Sequence, residues 1–78
     1  MHLRFDPRAN AAYLYLRDQD EQVKVVHTTV VAPPGSTDLD EGLRLDFDDE
    51  GRLVGIELLV PEHQLLPSVL RDAQPYPR

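Results

Sequence analysis

Residues 46–50 read Asp-Phe-Asp-Asp-Glu and end at Gly51, so four carboxylates crowd into five positions. Carboxylates at alternate positions are what a calcium loop uses as ligands. Counted from Asp46, the twelfth position is Glu57, where such a loop places a bidentate carboxylate. Residues 53–58, however, alternate apolar and polar side chains as a strand does, and a strand does not wrap an ion. The helices that flank an EF-hand are also missing. The run is therefore read as the tip of a hairpin, with no metal ion and no cofactor expected.

The remaining reactive side chains are scattered. His2, His27 and His63 have no zinc spacing. Ser36 and Ser68 sit beside turns without the context of a nucleophile. The four glycines form no phosphate-cradling loop. Nothing singles out one pair of carboxylates for acid–base work, and a thin domain has difficulty desolvating one. The expectation is that the chain is not an enzyme. A small metal-dependent enzyme is kept only as a third reading.

The 78 residues are enough for one domain. A chain this short buries roughly 60% of its unfolded surface, so its core is thin. With no cysteine, disulfides, thiol nucleophiles and thiolate metal sites are out. The opening stretch MHLRFDPRAN has no apolar leader core, and no segment approaches the roughly 20 apolar residues of a membrane helix. These features lead to the expectation of a cytoplasmic protein that does not bind membranes. The net charge is −6, and residues 32–60 carry eight acidic against two basic side chains. Nucleic acid is an unfavourable partner for such a surface.

The elements that must hold these residues follow from periodicity. Leu3 and Phe5 alternate with polar neighbours, a strand pattern that Asp6-Pro7 ends in one tight helical turn over 6–10. Alternation over 11–17 sends Ala12, Leu14 and Leu16 one way and Tyr13, Tyr15 and Arg17 the other, which predicts a second strand. Residues 18–22 form a polar turn. The β-branched run 23–32 predicts a strand, and 33–42, with two prolines and two glycines, a long mobile loop. Leu43, Leu45 and Phe47 then pair with Arg52 to Val60 across a four-residue turn, Asp48 to Gly51. Phe47 is set opposite Arg52, Leu45 opposite Val54 and Leu43 opposite Ile56, so that the apolar faces coincide. From Pro61 the period lengthens to a short helix broken at Pro67.

Gly55 inside a strand signals close approach by another element. Tyr13, Tyr15, Leu53, Gly55, Glu57 and Leu59 share the face away from Val54 and Ile56. If the helix covers the other side, this face stays partly apolar and exposed, the mark of an interface. It is the candidate surface for a homodimer.

Two stretches, FDPRANAAYLYL and LRLDFDDEGRLVGIELL, resemble the mostly bacterial domain-of-unknown-function family 2283. The resemblance spans roughly residues 3 to 66. It rests on Phe5, Asp6, Pro7, Asn10, Tyr13, Asp46, Gly51, Val54, Gly55, Ile56 and Glu57. Ala12, where a larger aliphatic residue is common, and the long 33–42 loop depart from the pattern. The resemblance implies no established activity. By analogy it admits an antitoxin-like protein binding a basic protein partner through the acidic 38–50 edge.

The sequence thus predicts an α+β domain over residues 1–72 with a frayed tail at 73–78. Its architecture is a four- or five-stranded, mainly antiparallel β-meander with a short C-terminal helix packed on one face. The expected role is a non-enzymatic interaction module, homodimeric through the sheet.

Overall fold

Alternating side chains at the N-terminus form strand β1 (His2–Asp6), and Asp6 caps the turn that ends it. Its carboxylate accepts the Arg8 amide at 3.0 Å and the Ala9 amide at 3.5 Å. Asn10 closes the turn at φ 48°, a conformation asparagine tolerates better than most residues. The chain returns as β2 (Ala11–Tyr15), so the expected strand is present and the 6–10 segment is a capped turn. This computed structural model describes residues 1–18 and 20–75. Gln19 of the expected 18–22 turn and positions 76–78 of the expected tail lie outside the described residues.

The remaining strands are β3 (His27–Val31), β4 (Leu43–Phe47), β5 (Leu53–Leu58) and the two-residue β6 (Gln74–Pro75). Strand order is β3-β4-β5-β2-β1-β6. The first five are antiparallel to their neighbours, and β6 runs parallel to β1. The class is α+β with an antiparallel sheet. The order corrects the expected meander, because β2 lies beside β5 and not beside β3. The physical reason is burial: β2 and β5 carry Ala12, Val54 and Leu58, which are buried, and take the middle. β3 is exposed at all five positions and takes the edge.

Two finer expectations also change. The β-branched run becomes strand only from His27, because His27 already pairs with Phe47, the last residue of β4; residues 23–26 run past the end of their partner. The β4–β5 pairing is shifted from the expected one, by two residues at Leu43 and Leu45 and by one at Phe47. Leu43 faces Leu58, Leu45 faces Ile56, and Phe47 faces Leu53 across an irregularity at Asp46/Phe47. The shorter turn supplies one residue of the shift, and the irregularity at Asp46/Phe47 supplies the other. The Asp48 amide donates to the Arg52 carbonyl at 2.9 Å, the Gly51 amide donates to the Asp48 carbonyl at 3.1 Å, and Gly51 sits at φ 76°. That is a three-residue loop with a left-handed glycine, one residue shorter than expected. A shift of two residues leaves each side chain on its own face, so the apolar face survives.

Residues 33–42 include a 3-10 turn at Leu39–Glu41 capped by the Asp38 carboxylate. After β5 come two short helices, α1 (Pro61–Gln64) and α2 (Pro67–Arg71), each opened by a proline, as the broken pattern predicts. Gln64 ties α1 to the sheet. Its side-chain amide donates to the Gly42 carbonyl at 2.7 Å and accepts the Val60 amide at 3.0 Å. Pro61 is fully buried there. No helix among the described residues is long and apolar enough to cross a membrane.

Candidate functional site

The polar face of the sheet is built in rows. Register places His2, Tyr15, Gly55, Asp46 and Thr28 side by side across five strands, with Arg4, Tyr13, Glu57, Arg44 and Val30 in the next row. Gly55 has no side chain, so its place in the first row is open. The ring of Tyr13 leans diagonally into it; a Cβ on residue 55 would collide with the Tyr13 phenol. The Tyr13 hydroxyl thereby crosses β5 and donates to Asp46 Oδ2 on β4 at 2.8 Å. Asp46 Oδ1 accepts the Thr28 hydroxyl on β3, also at 2.8 Å. One hydrogen-bonded chain thus spans β2, β4 and β3 above the intervening glycine.

Aromatic contacts extend this network toward β1. Tyr15 stacks on His2 with ring centroids 4.5 Å apart and planes 8° from parallel. Tyr13 meets Tyr15 edge-on at 4.7 Å. The Arg17 guanidinium lies 5.3 Å from the Tyr15 centroid. His2 Nε2 is buried without a hydrogen-bond partner. Desolvation, then the Arg4 charge, the N-terminal amine and Arg17 hold its pKa below the usual histidine value. Burial and the Asp46 carboxylate push the Tyr13 pKa up to about 12. A hydroxyl held neutral and already donating to a carboxylate is the reverse of an activated nucleophile.

The six sequence-selected residues divide. Tyr13, Tyr15, Gly55 and Glu57 come together, with Tyr13 opposite Glu57 and Tyr15 opposite Gly55. Leu53 is exposed at the start of β5, and Leu59 lies just past its end. Glu57 also faces Arg44 at 3.9 Å, an exposed pair that adds little. Sequence reasoning missed Asp46, Thr28 and His2 as members of this face. Strand parity would have found them once the register was known.

Three members of the acidic run have separate roles. Asp46 points into the tyrosine network. Asp48 is nearly covered and seals the turn: Oδ1 accepts the Glu50 and Arg52 amides at 2.9 Å each, and Oδ2 accepts Arg52 Nε at 2.8 Å. The Arg52 amide first, then the guanidinium and the Glu50 amide, outweigh its burial and hold its carboxyl below the usual range. Glu50 accepts Arg52 Nη2 at 3.0 Å. Asp38, Asp40 and Glu41 precede β4, whereas Asp48, Asp49 and Glu50 follow it. The five residues of β4 separate the two groups by about 17 Å. The 38–50 segment is therefore two acidic ends and not one edge. Among the described residues, no three His, Asp or Glu side chains gather closely enough to hold a metal ion. An open groove of about 450 Å³ lies by the hairpin tip, lined by Arg17, Lys24, Asp48, Arg52 and Leu53 among others.

The model of a protein family of unknown function, DUF2283, matches residues 2–60. The chain belongs to the DUF2283 family. No curated protein and no solved structure matches it. The DUF2283 span runs from β1 through β5 and contains every residue of the tyrosine network; α1, α2 and β6 lie beyond it.

Proposed function

We propose that this DUF2283 protein is a non-enzymatic interaction module that self-associates through the apolar face of its sheet. The observation that carries this reading is the middle row of that face. Leu3, Leu14, Ile56 and Leu45 stand side by side across four strands, and none of them is buried. The neighbouring row does bury Leu58 and Ala12. Each is half-buried in the middle row, whereas an apolar row at the centre of a sheet is fully covered in a complete core, so this one is covered only in part.

The tyrosine face is the weaker surface for this contact, because the Tyr13 and Thr28 hydroxyls and the Asp46 carboxylate are already satisfied within the chain. Sedimentation equilibrium at micromolar concentration tests the proposal. A dimer is expected, and Leu45→Gln is expected to weaken it; a monomer throughout that range overturns the reading.

A further inference from the structure

The two edges of the sheet are unlike. β6 is a two-residue strand that contains Pro75, and such a short, proline-bearing edge resists pairing. β3 is five residues long, contains no proline, and is exposed throughout. It lies inside the longest uncharged stretch of the chain, residues 25–37. Four of the nine exposed large hydrophobic residues among the described residues, Val25, Val26, Val30 and Val31, belong to it or adjoin it. Natural sheets blunt such an edge with charges, bulges or a covering element. Nothing of that kind lies within β3.

Charge decides what fits there. Lys24 precedes β3. At its other end lie Asp38, Asp40 and Glu41, all exposed and with no ion pair among the described residues. Two antiparallel copies of β3, centred on Thr29, set Val31 of one beside His27 of the other. Lys24, three residues before β3, then lies toward the end of the opposite copy from which the loop carrying Asp38, Asp40 and Glu41 leaves, and no like charges face each other along the strands. This pattern is its own complement, as a two-fold interface requires.

We infer that β3 is a pairing edge for β3 of a second copy, joining two sheets into one by backbone hydrogen bonds. The contact goes beyond the apolar-face contact and does not depend on it. An antiparallel edge pair has its two-fold axis normal to the sheet and leaves both apolar faces on one side, free to be covered.

The chain has no cysteine, so a single introduced thiol reports cleanly. On the two-fold axis, paired Cα atoms stand about 4.5–5.5 Å apart, inside the range a disulfide spans. Thr29→Cys is expected to form a disulfide-linked dimer on mild oxidation. The rate should exceed that of Ser68→Cys, an exposed position on α2, by at least about tenfold, because pairing raises the local thiol concentration. Adding Lys24→Glu should slow the cross-link, and adding Asp40→Lys to that variant should restore it. Equal rates for Thr29→Cys and Ser68→Cys overturn the inference and leave the edge to a strand from another protein. A dimer by sedimentation together with that failure leaves the apolar-face reading standing. A rapid Thr29→Cys cross-link in a chain that Leu45→Gln does not dissociate supports the edge and counts against the face.

Discussion

Tyr13 on β2 and Gly55 on β5 share one volume: the tyrosine ring lies where a Cβ on residue 55 would stand. The glycine gives the phenol its path to Asp46. In Gly55→Ala the ring is pushed off, and the 2.8 Å bond to Asp46 is lost with it. Urea unfolding should show a loss of about 1–3 kcal/mol, typical of overpacking. The same substitution in a Tyr13→Ala background should cost far less, because the obstacle is gone. Equal costs in both backgrounds would mean that the two residues are not coupled.

The raised Tyr13 pKa makes a second prediction, at high pH. Unfolded, the phenol ionises near 10.0; folded, at about 12. Between these values the folded state holds a proton that the unfolded state has released. The stability this gives is complete below pH 10 and is lost as pH climbs toward 12. Unfolding midpoints should therefore fall across that window, and tyrosinate absorbance should show one late-ionising group. Tyr13→Phe should remove both effects. A wild-type curve that matches the variant would contradict the hydrogen-bonded geometry.

Acid tests the hairpin tip. The Asp48 carboxyl is held below its ordinary 3.8 by the Arg52 amide and guanidinium and the Glu50 amide. Its contribution is present above that ordinary value and is lost as pH falls through the lower folded one. Asp48→Asn should therefore lower stability at neutral pH and flatten the acid side of the stability curve below pH 4. Both carboxylate oxygens are occupied within the turn, so calorimetric titration with calcium should give a flat trace for the wild type. Heat of binding at millimolar calcium would reopen the ion-loop reading.

The sequence makes faces legible and leaves neighbours hidden. Alternation assigns Tyr13, Gly55 and Glu57 to one side and Val54 and Ile56 to the other, because side-chain period is local. The glycine's meaning, close approach by another element, also follows from its position in a strand. Which element approaches depends on β2 lying beside β5, a long-range choice made by burial. A β-branched run over 23–32 signals strand but not where its partner ends, so residues 23–26 are over-read. The hairpin register depends on the Asp48 side chain and the Gly51 conformation, which shorten the loop by one residue, and on the irregularity at Asp46/Phe47, which adds another.

Gly42 provides the severest test of the packing. It is buried, and its carbonyl accepts the Leu59 amide at 3.2 Å and the Gln64 side chain at 2.7 Å. β5 and α1 are therefore both anchored on the residue that precedes β4. A Cβ at this position would run into the Val31 carbonyl at the end of β3. A rotamer change cannot relieve that clash, because the obstacle is backbone, whereas at Gly55 it is the far end of a side chain. Gly42→Ala should therefore cost more than Gly55→Ala, at or above the roughly 3 kcal/mol upper end of ordinary overpacking. The strain falls first on β3, which has only β4 as a neighbour, so its amides should lose hydrogen-exchange protection while β2 and β5 keep theirs. Uniform loss across all strands would mean that the edge and the centre unfold as one unit.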